Sequence, residues 1–171
     1  LDNEELDLNM RQADCAIRLR QPQQPDLIQR RLFTVHFHAY AAASYIARHG
    51  KPEVVSELDK HRIVNFGEPA PTYLKDINAL ETIGRPDNDP RPVHFQINNL
   101  LSVKGAVQRG IGIGLLPDYL VDKESGLVQV LPEMEQPSFD TYFCYPEAMK
   151  SAAKLNVFRD FLFSKARNWS F

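Results

Sequence analysis

An α/β fold built around a largely parallel sheet is the architecture this sequence predicts. Three observations predict it. Runs with two-residue apolar alternation are separated by segments with helical spacing. Proline- and glycine-bearing stretches punctuate the joints. In "QRGIGIGLLPDYL", residues 108–120, Gly110, Gly112 and Gly114 alternate with Ile111, Ile113 and Leu115, the period of a strand. Its bare face implies that another backbone or a ligand comes very close.

Residues 1–13 read as the exposed end of a helix, "DCAIRL" as a short buried strand and "RQPQQP" as a polar loop. In "DLIQRRLFTVHFHAY", Phe33, Val35 and Phe37 alternate with Thr34, His36 and His38, which predicts a long strand with one wet face. "AASYIARHGKP" predicts a short helix, with Gly50 as its left-handed cap and Pro52 preventing continuation. Ser56 and Asp59 form a weak capping pair before the turn "SELDKH", and "RIVNF" is a strand. Leu74, Ile77, Leu80 and Ile83 recur every three residues in "TYLKDINALETIG", read as an amphipathic helix.

After the proline-rich loop "RPDNDPRP" and the strand "VHFQI", "NNLLSVKGAVQRG" predicts a helix capped by Asn98 or Asn99. Leu100, Val103 and Val107 mark its apolar face, with Leu101 beside it. Gly110 ends that helix and the glycine-spaced strand follows. Pro117 opens a helical turn in "PDYLVDKE". "LVQVL" and "DTYFCYP" are strands, and Leu155, Phe158, Phe161, Leu162 and Lys165 trace a closing amphipathic helix.

The 171 residues suit one ordinary domain or two small ones. Net charge is -2, which argues against this chain holding nucleic acid by itself. No apolar run approaches the ~20 residues of a membrane helix, so no membrane partner is expected. Cys15 and Cys144 sit among apolar residues, as buried free thiols do, and the absence of a cysteine framework fits the cytosol.

Candidate chemistry is sparse. "GIGIG" follows a helix, whereas a dinucleotide fingerprint precedes one, and its spacing is not G-x-G-x-x-G. His36 and His38 share a strand face, but a closed zinc site needs about four ligands, so a polar strand face is preferred and no metal is expected. His49, His61 and His94 read as cap, surface and strand residues. Ser44, Ser56 and Ser102 lack a G-x-S-x-G context. No catalytic group is identified, and no cofactor is expected. Asn98–Asn99 follows a strand and opens a helix. Such an end presents unpaired N–H groups and partial positive charge that suit a carboxylate or phosphate, although capping is the commoner use of asparagine there.

Several motifs then line up in order: "ADCAIRLRQPQQPDLIQRRLF", "ASYIARHGKPEVVSELDKH", "NNLLSVKGAVQRGIGIGLLPDYLV", "GLVQVLP" and "YFCYP…FRDFLFSKA". Together they resemble the effector-binding domain of LysR-type transcriptional regulators over nearly the whole chain. Tyr45, Ala47, Gly50, Pro52, Leu58 and His61 match one family pattern; Gly110, Gly112, Ile113, Leu116 and Pro117 match another.

The resemblance implies a two-lobed, periplasmic-binding-protein-like (type 2) α/β domain, with mixed sheets flanked by helices and a small-molecule cleft between lobes. Lobe one would hold residues 1–32 and 139–171 and be incomplete. Lobe two would hold 33–138. Asn98, Asn99 and Ser102 would open the helix facing the cleft, Arg18 and Leu19 would border it from lobe one, and Asn65 and Phe66 would form lobe-two wall. It further implies a small-molecule effector, with an organic acid suggested by the helix N-terminus. Self-association as a dimer or tetramer is implied too, in the cytoplasm, with DNA contacted only through a winged helix-turn-helix outside this chain. The competing class is a solute-binding protein of a transporter, which would share the fold. Gly112→Val is expected to destabilise lobe two by about 1–3 kcal/mol through overpacking.

Overall fold

The computed structural model describes residues 6–67, 72–86 and 88–167. Among the described residues are seven strands: β1 (Ala16–Arg18), β2 (Leu27–Ala42), β3 (Ile63–Phe66), β4 (Val93–Ile97), β5 (Ile113–Pro117), β6 (Leu127–Gln129) and β7 (Ser138–Pro146). Three α-helices accompany them: α1 (Ala43–His49), α2 (Leu100–Gln108) and α3 (Ala153–Ala166). The chain divides into two compact units, one of Leu1–Val35 with Ser138–Phe171 and the other of His36–Pro137.

In the first unit, β1 pairs antiparallel with β7, Ala16 opposite Cys144 and Arg18 opposite Tyr142. Phe143, Tyr145, Leu155 and Leu162 form its core, with Cys15, Ile28, Leu32 and Phe163 packed against them. The Thr141 hydroxyl donates to Phe33 O at 2.7 Å and accepts from Phe33 N at 3.2 Å, tying β2 to β7. Both cysteines are free thiols, Cys144 buried and Cys15 half-buried. The expected helix before residue 14 is instead a turn: Asp7 Oδ1 accepts from Asn9 N and Met10 N, an acid-nucleated turn, and Leu8 beside it is fully buried. Residues 1–5 of that expected helix lie outside the described residues. Along α3, Leu155 and Leu162 are buried, but Phe158 and Phe161 are 45% and 57% exposed, so the expected five-residue apolar stripe is narrower than its spacing suggested.

The second unit carries parallel and antiparallel pairs together. β3 lies parallel to β4 and to β5, whereas β2 lies antiparallel to β5 and β6. The largely parallel sheet read from the alternation of strands and helices is therefore corrected to a mixed one. Alternation counts elements, but direction is set by which neighbour each strand meets after its connection. β5 runs antiparallel to β2 because both ends of the pair, Phe37 with Pro117 and Tyr40 with Gly114, meet in opposite senses. α2 covers β3 and β5 through Val64, Val103, Ala106, Val107 and Leu116.

Three local expectations change. Thr72–Glu81 is 3₁₀ helix with non-helical dihedrals at Leu74 and Asn78, not a continuous α-helix. Leu74, Ile77 and Leu80 are buried as expected, but a strict three-residue repeat is the period of a 3₁₀ turn, and on an α-helix it drifts around the axis. Ser56 and Asp59 do not cap the 3₁₀ segment Val55–Lys60, whose N-cap is Val54 without a side-chain bond. Asp59 instead binds Arg91 at 2.6 Å and Arg85 at 3.0 Å. Pro117 ends β5 and is the N-cap of the 3₁₀ turn Asp118–Leu120, not its first helical residue.

The glycine run splits in the same way. Gly110 has φ 69 and ends α2, and the strand begins only at Ile113. A Cβ at Gly112 would lie 2.4 Å from Arg62 O, and one at Gly114 would lie 2.8 Å from Val107 Cγ2 and 3.1 Å from Val64 O. So one glycine admits the neighbouring chain entering β3, and the other admits α2.

Candidate functional site

The candidate site in the second unit is built where β3 and β4 end. Their parallel pairing sets Asn65 opposite Gln96 and Phe66 opposite Ile97, and Gly67 N donates to Ile97 O at 3.2 Å. The backbones run so close that a Cβ on Gly67 would sit 3.3 Å from Asn98 N. β4 then turns through Asn98 and Asn99 into α2. Asn65, Phe66, Asn98, Asn99 and Ser102 thus gather at the carboxyl ends of two parallel strands, where ligands of α/β sheets commonly bind.

Asn99 is extended, and its Oδ1 accepts from Leu101 N at 3.0 Å and Ser102 N at 3.2 Å. It is an N-cap that already occupies two of the helix's free donors. The first turn carries no acidic side chain, so the positive end of the helix field is not neutralised there. Ser102 is half-buried on that turn.

Asn65 and Phe66 are held by residues that sequence reasoning did not single out. Asn78 Oδ1 accepts from Phe66 N and its Nδ2 donates to Phe66 O, both at 3.0 Å. Asn65 is 2% exposed, and its Nδ2 donates to Glu81 Oε1. Its Oδ1 has no hydrogen-bond partner among the described residues. Since strand side chains alternate and Val64 packs in the α2 cluster, Asn65 faces the 3₁₀ segment instead. The one signal for Asn78 and Glu81 was a polar residue beside each apolar repeat, which a solvent-facing helix position produces equally well.

In the first unit, Arg18 is buried, its Nη1 donating to Gln24 Oε1 at 3.1 Å and its Nη2 to Leu6 O at 2.8 Å. Leu19 beside it is half-buried. Arg18 therefore serves the folding of its own unit through these bonds.

A second polar cluster lies under α1. Tyr45 is fully buried, and its hydroxyl accepts from Arg62 N at 2.9 Å and lies 3.1 Å from His61 Nδ1. The Tyr45 ring stacks on His49 at 4.5 Å between centroids. His61, expected at the surface, is 8% exposed. Burial, reinforced by His49, pushes its pKa below the usual histidine value, and burial raises that of Tyr45. The Tyr45 hydroxyl carries one proton and two lone pairs, so it can accept from Arg62 N and donate to Nδ1 of a neutral His61 at the same time. His94 Nδ1 accepts from Ile63 N at 3.3 Å. His38 Nδ1 lies 3.3 Å from Gln129 Nε2, and His36 is exposed. Among the described residues no group of three or more His, Cys, Asp or Glu could hold a metal ion, and no helix is long and apolar enough to cross a membrane.

This architecture has close counterparts. The LysR substrate binding domain family model matches residues 3–167. The HTH-type transcriptional regulator CrgA of Neisseria meningitidis is 29% identical over 95% of this chain and 54% of its own length. The structure of the CrgA regulatory domain superposes with TM-score 0.76 at 28% identity, over 93% of this chain and 78% of that one. Full-length AphB, the Vibrio cholerae virulence activator, gives TM-score 0.72 at 26% identity over 94% of this chain and 54% of its own. The regulatory domain of Synechocystis CcmR, solved in complex with 2-PG, shares the fold at TM-score 0.70 and 16% identity, over 94% and 77%. The chain spans about half the length of the curated relatives it matches. These relatives are transcriptional regulators. With a match that runs almost from end to end, and with the mixed α/β architecture of their regulatory domains, this chain belongs to the LysR substrate-binding domain family.

Proposed function

We propose that this chain is the effector-sensing part of a LysR-type transcriptional regulator working in the cytoplasm. The observation that carries the reading is the family match over residues 3–167, together with relatives about twice as long that are HTH-type regulators. DNA contact belongs to a helix-turn-helix domain outside these 171 residues. The two lobes of the sensor correspond to residues 1–32 with 139–171, and to 33–138. An effector shifts such a domain only by its difference in affinity between two arrangements. In a self-associated regulator that shift reaches the spacing of the DNA-binding domains. No step of this mechanism requires a catalytic group.

The effector is a small organic acid. Its support is the unneutralised N-terminus of α2 at the carboxyl ends of β3 and β4. Asn99 holds the Leu101 and Ser102 amides, so the carboxylate meets the Ser102 hydroxyl and the field of the helix rather than those two donors. Asn98 and Phe66 border the same end. Arg18 and Leu19 are the lobe-one candidates, with Arg18 acting through the segment it fixes. That a regulatory domain of this fold holds a small molecule in CcmR is consistent with the reading.

Thermal-shift screening of the full-length regulator against carboxylic acids and neutral metabolites tests it. A ligand at about 100 times its Kd stabilises by about 2.7 kcal/mol, and an organic acid should give that response. Stabilisation by neutral compounds alone overturns the acid assignment, and no response from any metabolite overturns the sensor.

A further inference from the structure

Two segments far apart along the chain enclose a hollow of about 250 Å³ in the second unit. One leads into the 3₁₀ segment Val55–Lys60 and contributes Glu53, Val54 and Val55. The other is the turn after β6 and contributes Leu131, Glu133 and Met134. None of these residues belongs to α2 or to the ends of β3 and β4, so the hollow is built from other parts than the effector site.

The floor is apolar and both walls are fixed. Leu131 and Met134 are buried, and Val55 is half-buried. Leu131 has φ 50, in the left-handed region that a leucine rarely adopts. Its carbonyl accepts from Met134 N at 3.0 Å and from Gln136 Nε2 at 3.4 Å. Gln136 Oε1 in turn accepts from Ala39 N at 3.0 Å, which anchors the turn on β2. On the opposite wall, Val55 O accepts from Arg91 Nη2 at 3.3 Å, and Glu53 N donates to Glu57 Oε2 at 2.8 Å. Strain of this kind persists where the surroundings over-determine a residue, and it gathers at ligand clamps. Held apart in this way, the apolar side chains forgo dispersion contacts that an occupant would supply. Methionine in the floor adapts to the shape of whatever enters.

The rim sets the charge of that occupant. Glu53 and Glu133 line the hollow, and no basic residue does. Neither carboxylate makes an ion pair among the described residues. We propose that the hollow is a second ligand site that takes a small organic cation, a primary amine on a short apolar body. The body covers Leu131 and Met134, and the ammonium meets Glu53 and Glu133. The volume is below the ~300–1,000 Å³ of drug-sized pockets, which limits the body to about one ring or a short alkyl chain. This inference goes beyond the effector reading and does not depend on it: the residues differ, and the ligand charge is opposite.

Nuclear magnetic resonance of the full-length regulator, isotope-labelled at its methionine methyl groups and titrated with phenethylamine, tests the site. The Met134 signal is identified by its loss in Met134→Leu. Phenethylamine should move that signal saturably. Phenethyl alcohol, the same body without the charge, should bind about tenfold or more weakly, because it forgoes a charge-assisted hydrogen bond. Hydrocinnamate, its anionic counterpart, should leave the signal in place. Glu53→Gln with Glu133→Gln, both at exposed positions, should weaken phenethylamine by about tenfold or more and leave the alcohol unchanged. No saturable movement with the amine, equal binding of amine and alcohol, or an unmoved amine affinity in the glutamine pair overturns the proposal. Ser102→Ala should leave the amine titration as in the parent, and acid-induced thermal shifts should persist in the glutamine pair, so this site and the effector reading fail separately.

Discussion

Replacing Gly112 by valine tests how closely the chain entering β3 approaches the chain entering β5. A Cβ at that position would lie 2.4 Å from Arg62 O, 2.9 Å from Arg62 C and 3.1 Å from Arg62 Cβ. Carbon contacts are comfortable near ~3.5 Å or more, so the Arg62 carbonyl must retreat by about 1 Å. The obstacle is backbone and cannot swing aside as a side-chain tip can. The same carbonyl accepts from Ile113 N at 2.8 Å, directly where Ile63 and Ile113 register β3 against β5. Overpacking costs about 1–3 kcal/mol, and a weakened backbone hydrogen bond adds about 1 kcal/mol. We expect a loss of about 2–4 kcal/mol.

Gly112 is not among the positive-φ residues, so its cost is steric. Gly126 supplies the opposite control, with φ 69 and nothing within 4 Å of its added Cβ. Gly126→Ala should cost only the left-handed backbone penalty, about 1–2 kcal/mol. Urea denaturation followed by circular dichroism reads both. With m near ~2 kcal/mol/M, the Gly112→Val midpoint should fall by about 1–2 M. An unchanged midpoint, or a Gly126→Ala loss as large as that of Gly112→Val, would refute the close approach.

Three further outcomes follow from other contacts. Arg91 is buried, and besides its pair with Asp59 it donates to Leu80 O at 3.1 Å, Ile83 O at 2.6 Å and Val55 O at 3.3 Å; Arg91→Ala should cost about 2–4 kcal/mol in the same denaturation assay, because these carbonyls lose their donor. Asn99→Ala should cost about 1 kcal/mol by removing the cap of α2, while Asn99→Asp should retain most of it, as melting curves will show. His61 has a folded-state pKa below its unfolded value near ~6.5, so the unfolded chain binds more protons in that window. The stability contributed by neutral His61 should be complete above about pH 6.5 and decline as pH falls toward the lower folded value. A pH series of melting temperatures with His61→Gln as control measures it, and an equal slope in the variant would contradict the Tyr45–His61 arrangement.

Strand positions were legible because alternation is local. β1, β3 and β4 fall within the segments whose apolar residues alternate or run together, while β2 and β7 overrun theirs by two residues each, at 41–42 and 138–139. The cap at Asn99 and the break at Gly110 were legible because each depends on a few neighbouring residues and on what their backbones can adopt. The site was less so. That Asn65, Phe66 and Asn98 come to neighbouring strand ends could be expected from the family resemblance, but that Asn78 grips both backbone groups of Phe66 could not. A polar residue gives the same local pattern whether water or a strand satisfies it. His61 misled for the same reason: nothing within several residues announces the Tyr45 hydroxyl waiting 16 positions earlier.

The residue pattern alone settled most strand segments, the cap at Asn99 and the break at Gly110, and which family the chain resembles, since those follow from dihedral preferences and short-range spacing. Tertiary structure decided strand direction, the 3₁₀ winding of Thr72–Glu81, the burial of Arg91 and His61, and the separate tasks of Gly112 and Gly114. Each of these rests on a partner distant along the chain, and only packing selects that partner from the many that local chemistry would allow.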